Sequence, residues 1–213
     1  MKLSLTHAQL ITILGATCIG DQTNLLVQEV VYDSRKISRS EDVAFFGLKG
    51  PKRSGIDFVK EVHQKGIRMF VLDQQPREVY PDANYYIVSD VLAALQKLAA
   101  FHRKRIKYPV LAITGAIGKT TVKEWMYHLL AGQMNIARSP KSYNSQLGVA
   151  LSLLQLPLEA DLALIEAAVS KPGEIEKLQA MGRLARDADA QALGEVIFNN
   201  TNMNFIVFVK DRS

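Results

Sequence analysis

Apolar and polar positions along this chain follow two rhythms that take turns. Short apolar runs bounded by turn residues read as strands over 25–31, 43–48, 68–72 and 85–88. Between them the apolar spacing widens to three and four, the period of a helix with one buried face. Leu10, Ile13 and Leu14 suit a first helix, capped by Thr6 and ended by Gly15. Residues 57–65 read as a second helix, closed by Gly66. Ser89 caps a third over 91–105, with Val91, Leu92, Leu95, Leu98 and Ala99 as its apolar face. Pro109 follows and marks a boundary, after which a second unit begins. Its elements are a strand at 110–114, a helix with Val122, Trp125, Met126, Leu129 and Leu130 on one face, and a strand near Ile136. A helix containing 147–154, a strand at 162–167 and a helix starting near Pro172 complete it. Strands alternating with helices predict an α/β fold with parallel sheets and ligands at the carboxyl ends of the strands.

The junction after the 110–114 strand carries the clearest chemistry. The chain runs Gly115-Ala116-Ile117-Gly118-Lys119-Thr120-Thr121 and enters a helix at once. Strand, glycine turn, Lys-Thr and helix make a phosphate cradle. Backbone N–H groups and the helix dipole favour an anion there, lysine adds a point charge, and a threonine hydroxyl can hold Mg²⁺. The usual glycine five residues before Gly118 is Ile113, so the loop is a shortened form. The competing reading is an ordinary strand-to-helix turn with a surface lysine.

Composition narrows the setting. The chain has 213 residues, 48% of them hydrophobic, enough for a packed core. A net charge of +5 suits anionic ligands such as nucleotides, but no Lys/Arg run is dense enough to argue for nucleic acid. His102-Arg103-Lys104-Arg105 closes the third helix and reads as a solvated, dipole-complementing end. Cys18 is the only cysteine, which favours a reducing compartment. Polar residues interrupt residues 3–19, so an amphipathic helix fits them better than a leader peptide. No apolar stretch is long enough to span a membrane, and the expectation is a cytoplasmic protein. The four histidines, His7, His63, His102 and His128, lie on helical segments at no ligand spacing.

Five segments in register resemble one family. They are Asp33-Ser34-Arg35-Lys36, Phe45-Phe46-Gly47-Leu48-Lys49-Gly50, the run from Thr114 to Thr121, the run from Ser142 to Val149, and Glu166 followed by Pro172-Gly173-Glu174-Ile175. The pattern is similar to the Mur ligases of peptidoglycan synthesis, in the branch that adds D-alanyl-D-alanine to UDP-N-acetylmuramoyl-tripeptide. The wording around 138–146 is similar to the form fused to an alanine racemase. The resemblance implies an ATP-dependent, amide-bond-forming ligase that works through an acyl phosphate. It implies a small N-terminal α/β domain for the UDP-linked substrate at 1–107, then an incomplete parallel-sheet phosphate-loop ATPase domain at 108–180. Residues 181–213 would be a divergent tail.

By that resemblance, residues 115–121 hold the ATP phosphates, with Lys119 on the β- and γ-phosphates. Thr120 and Glu166 hold Mg²⁺, with Lys119 and Glu166 as the catalytic pair. Asp33, Ser34, Arg35 and Lys49 face the UDP part of the substrate, and Asn144 contacts substrate near the loop. Each has a plainer alternative. Asp33-Ser34-Arg35 would also make a local turn, Asn144 would also cap the next helix, and Glu166 would also be a solvated strand-end carboxylate.

The chain departs from the family at Ile117, at Ser54-Gly55-Ile56-Asp57, at Ala150 and at Ser170-Lys171. After about Gln179 the likeness ends, and no C-terminal domain for the amine substrate follows. The sequence therefore reads as a truncated or frame-disrupted ligase with little activity alone, with a genuine alternative C-terminus as the other reading of its end. A non-catalytic remnant that binds nucleotide or UDP-sugar is the second reading, and a folylpolyglutamate synthetase relative the third. Asp33-Ser34-Arg35 in a separate N-terminal unit argues against the third. The tail reads as a polar helix over 174–193, an Asn-rich stretch and an apolar run at 205–209 suited to an edge strand or to association.

Overall fold

The computed structural model describes residues 3–21, 23–37, 42–51, 53–115, 117–168, 198–200 and 203–208. They fall into two compact units, Met1–Leu98 and Ala99–Ser213.

The first unit opens with a short strand, β1 (Leu5–Thr6), and a helix, α1 (His7–Leu14). Thr6 caps α1 as expected: its hydroxyl accepts from the Gln9 amide at 3.3 Å, and Gln9 Oε1 accepts from the Thr6 amide at 3.0 Å. Gly15, at φ 66°, ends the helix in the left-handed conformation. The remaining elements are β2 (Thr17–Ile19), β3 (Leu26–Val27), β4 (Glu29–Val31), β5 (Val43–Phe46), α2 (Val59–Gln64), β6 (Met69–Leu72), β7 (Asn84–Ile87) and α3 (Val91–Arg105), whose residues from Ala99 onward belong to the second unit. The main sheet runs β2-β7-β6-β5-β4, with β4 to β7 parallel and β2 antiparallel on β7. Phe45, Phe70, Leu72 and Tyr85 sit in its core with Val59 and Val62 of α2. Both β5 and β6 are buried at every position, as a covered parallel sheet requires.

Two expectations for this unit change. The strand expected at 25–31 is two strands in two sheets: β3 pairs with β1, and β4 pairs with β5. The break falls at Gln28, whose amide donates to the Asp42 carbonyl at 2.7 Å. The helix expected from residue 57 starts earlier, as a 3-10 turn at Gly55–Phe58 that passes into α2.

The second unit holds β8 (Val110–Gly115), α4 (Lys119–Leu130), β9 (Ile136–Arg138), α5 (Gln146–Gln155), β10 (Leu162–Glu166), β11 (Phe198–Asn200) and β12 (Met203–Phe208). The sheet order is β11-β12-β8-β10-β9. β8, β10 and β9 are parallel, so their carboxyl ends share one edge. Leu111 of β8 and Leu164 of β10 form a small core with Met126 and Tyr127 of α4.

Three expectations for this unit change. Trp125 and Leu129 were expected in the buried face of α4, yet they are 66% and 75% exposed. The buried position is Lys123, on the same side as Met126 and Tyr127. His102 and Arg103 are buried rather than solvated: His102 Nε2 donates to the Leu156 carbonyl at 2.9 Å, and Arg103 donates to the Ile106 carbonyl at 3.1 Å. The apolar run from Phe205 to Phe208 is not an edge strand. It lies in β12, hydrogen-bonded to β8 on one side and β11 on the other. The helix expected at 174–193 lies outside the described residues, as does Val209.

Candidate functional site

The carboxyl ends of β8, β9 and β10 bring the expected chemistry to one sheet edge. β8 ends at Gly115, with φ 149°, and Gly118 precedes α4 at φ 87°. Both conformations are open to glycine and strained for other residues, which explains the glycine spacing. Ile117 stands between them at 73% exposure, so its bulk meets solvent. Ala116 lies outside the described residues. Lys119 opens α4 and donates to the Gly115 carbonyl at 2.6 Å, reaching back across the loop. Thr120 and Thr121 follow in the first helical turn, Thr121 exposed.

Glu166 closes β10 and is 1% exposed, so it is no solvated strand-end carboxylate. Both its oxygens are engaged. The Thr120 hydroxyl donates to Oε2 at 2.8 Å and the Asn144 amide donates to Oε1 at 2.8 Å. The Glu166 amide donates to Ser139 Oγ at 3.1 Å. Asn144 does not cap α5. Ser145 does, accepting from the Gly148 amide at 3.1 Å. That leaves the Asn144 side chain turned to the carboxylate.

Two hard oxygens from Thr120 and Glu166 lie 2.8 Å apart. Adjacent oxygens in an octahedral shell at about 2.0–2.1 Å from Mg²⁺ lie ~2.9 Å apart, so the pair fits that cation. Among the described residues there is no cluster of three or more His, Cys, Asp or Glu that could hold a metal unaided. A site with few protein ligands suits Mg²⁺, which keeps waters and takes phosphate oxygens.

Residues 113–186 match the Mur ligase middle domain. A UDP-N-acetylmuramoyl-tripeptide--D-alanyl-D-alanine ligase of Buchnera aphidicola is 35% identical over 175 residues, covering 82% of this chain and 36% of that protein. The chain belongs to the Mur ligase family. Its fold is similar to that of the Acinetobacter baumannii UDP-N-acetylmuramoylalanyl-D-glutamyl-2,6-diaminopimelate--D-alanyl-D-alanyl ligase, with a TM-score of 0.76, 26% identity, and coverage of 85% of this chain and 40% of that one. The Thermotoga maritima MurF ligase in complex with ADP matches with a TM-score of 0.64 and 26% identity, covering 72% of this chain and 35% of that one. The chain thus spans well under half the length of these Mur ligases.

The first unit has a second group at the carboxyl edge of its own sheet. After β4, Ser34–Lys36 form a 3-10 turn capped by Asp33, whose Oδ1 accepts from the Arg35 amide at 3.1 Å. The local-turn reading thus describes the backbone. Arg35 folds back on Asp33 with Nε and a terminal nitrogen both at 2.8 Å from the carboxylate. Those hydrogen bonds hold the Asp33 carboxyl down at about 2. Ser34 is buried, its carbonyl accepting from Lys65 Nζ at 2.8 Å. Lys49, beyond β5, pairs with Asp73, beyond β6, at 2.5 Å. That pairing raises the Lys49 pKa.

Sequence reasoning missed Asp73, Ser139 and Lys123. Asp73 had a weak signal, a carboxylate just past an apolar strand. Ser139 had none. Lys123 reads as a surface lysine until its burial is seen.

Proposed function

We propose that this chain carries the phosphate-loop site and the UDP-substrate unit of an ATP-dependent ligase of peptidoglycan precursor synthesis. The ligase joins D-alanyl-D-alanine to UDP-N-acetylmuramoyl-tripeptide. The observation that carries the reading is Glu166: a buried carboxylate at a strand end, steadied by Asn144 and facing the hydroxyl that follows the loop lysine.

In the reaction, a substrate carboxylate oxygen attacks the γ-phosphorus of ATP and the bond to ADP breaks. The amine then attacks the acyl carbon, forms the amide, and releases phosphate and a proton. Phosphoryl transfer asks the protein for alignment and charge neutralisation more than for a nucleophile. Lys119 would exchange its contact with the Gly115 carbonyl for the β- and γ-phosphates. Thr120 and Glu166 would hold Mg²⁺, which when bound neutralises phosphate charge. Asn144 keeps the Glu166 carboxylate aimed. Ser34, Arg35 and Lys49 would meet the UDP-linked substrate at the edge of the first unit's sheet, where α/β folds take ligands. No helix among the described residues is long and apolar enough to cross a membrane.

Titration calorimetry of the chain with ADP, with and without Mg²⁺, tests the reading. Binding that Mg²⁺ strengthens in the wild type and that Glu166→Gln loses supports it. Equal binding in Glu166→Gln overturns it.

A further inference from the structure

Lys123 lies one turn after Lys119 on α4 and is fully buried. A lysine is almost never fully buried unless it is paired, because an unpaired ammonium loses its hydration. Here the surroundings replace that hydration. Nζ donates to the Ser139 carbonyl at 2.9 Å and to the Lys141 carbonyl at 2.5 Å. Glu124 Oε1 lies at 3.3 Å and Glu166 Oε2 at 3.8 Å. Glu124 in turn pairs with Arg138, whose guanidinium stacks 3.6 Å over the Tyr127 ring.

The two carbonyls flank Pro140, which has no N–H of its own to give. Lys141 takes a left-handed backbone, φ 49°, that a non-glycine residue holds only under constraint. The segment has little slack elsewhere. The Ser139 amide donates to the Leu164 carbonyl at 2.9 Å, and the Ala168 amide donates to the Asn144 carbonyl at 2.7 Å. A methyl group on Gly148 would lie 2.7 Å from the Tyr143 carbonyl carbon. The segment from Ser139 to Asn144 thus bends sharply, and its far end delivers the amide that holds Glu166.

We infer that Lys123 is a positioning residue: its buried ammonium ties the phosphate-loop helix to the Ser139-to-Asn144 segment and so fixes Asn144 and the Glu166 carboxylate beside Thr120. An apolar side chain of equal length would fill the space. It would leave two bent carbonyls without a donor and take the cation from Glu166, while Glu124 keeps Arg138. The consequence for nucleotide rests on the function proposed above; the tie itself does not.

The test uses the 213-residue chain in two arms. In ligand-free hydrogen exchange, Lys123→Met raises the exchange rates of the Tyr143, Asn144 and Glu166 amides, each hydrogen-bonded in the wild type, at least tenfold and leaves the α3 amides unchanged. In calorimetry it weakens Mg²⁺-dependent ADP binding at least tenfold, with Mg²⁺-free binding little affected, and Lys123→Arg recovers most of the loss. Unchanged exchange in Lys123→Met overturns the tie. Raised exchange with an equal loss of binding in the two calorimetry conditions, or with no rescue by arginine, overturns the positioning role and leaves a packing one. A wild type that binds no ADP in either condition overturns the nucleotide reading, while the exchange arm still decides the tie. If Lys123→Met unfolds, the neutral pair Lys123→Met/Glu166→Gln meets the same exchange criterion at Tyr143 and Asn144.

Discussion

Thr120 and Glu166 lie 46 residues apart in sequence, and the hydroxyl of one donates to the carboxylate of the other across 2.8 Å. Two strands set that distance. β8 delivers the loop and the first turn of α4, and its parallel partner β10 delivers Glu166, with Glu166 paired to Ile113 in register. A one-residue slip of β10 would turn Glu166 to the opposite face of the sheet. The register of two apolar strands therefore controls the site.

Thr120→Val keeps the shape of the side chain and removes its oxygen. Mg²⁺-dependent ADP affinity should fall about tenfold or more, since a hydrogen bond or ligand to a charged group contributes ~1.5–3 kcal/mol. Affinity without Mg²⁺ should change by much less. Calorimetry in the two conditions checks the prediction, and an equal loss in both would remove Thr120 from the cation site.

Lys119→Ala should abolish measurable ADP binding, whereas Ser34→Ala should leave it intact and weaken binding of a UDP-sugar. The motive is that Lys119 reaches back over the loop to Gly115, while Ser34 sits on a turn of the other compact unit. If both variants lose the same ligand, the assignment of separate roles to the two groups fails.

Much of this arrangement was legible in the sequence, and the parts that were not share a cause. Thr6 and Gly15 announce the two ends of α1 because caps are local chemistry. Gly115 and Gly118 announce the loop because its backbone angles are strained for other residues. The buried face of α4 is not legible in the sequence, because apolar spacing along a helix does not say on which side the sheet lies. Trp125 looks like a core residue and is exposed; Lys123 looks like a surface residue and is buried among its partners. The split of 25–31 between β3 and β4 was equally hidden, since an apolar run does not say which strand it will pair with. Glu166 was visible as a candidate, but its burial and its hold by Asn144 are tertiary facts.

The corrected face of α4 makes a simple forecast. Trp125→Gln and Leu129→Gln should each shift stability by no more than about 0.5 kcal/mol, the range of exposed substitutions. Tryptophan emission from the wild type should be close to that of a solvated indole, because Trp125 is the only tryptophan and is 66% exposed. A blue-shifted emission, or a loss of several kcal/mol in urea titrations of Trp125→Gln, would return Trp125 to the core.

Gly148→Ala should destabilise the second unit by about 1–3 kcal/mol, the usual cost of forcing one extra carbon into a packed interior. The new methyl would meet backbone atoms of Tyr143 at 2.7 and 3.0 Å, and neither can swing aside as a flexible side-chain end could. Relief would have to come from the loop that carries Asn144. The same variant should therefore weaken Mg²⁺-dependent ADP binding as well as lower the urea midpoint. A Gly148→Ala protein as stable as the wild type would show that the close approach has room.

The last prediction concerns acid. His102 is buried on α3, its Nε2 donating to the Leu156 carbonyl, and its Nδ1 has no hydrogen-bond partner among the described residues. Burial disfavours the imidazolium and holds the pKa of His102 below its ordinary 6.5. The unfolded chain, with the ordinary value, binds a proton there before the folded chain does. Stability from the neutral buried ring is therefore fully present above about pH 6.5 and is lost as the pH falls through the lowered folded value. Over that window the loss approaches ~1.4 kcal/mol per pH unit for one proton. Carboxylates titrate in the same direction at lower pH, so the comparison must be a difference. Urea midpoints of the wild type and His102→Gln, measured between about pH 7.5 and 5.5, should converge as the pH falls, because glutamine takes up no proton in either state. A gap that stays constant or widens toward acid would mean that His102 is protonated in the folded chain, and the neutral, Nε2-protonated ring would have to be abandoned.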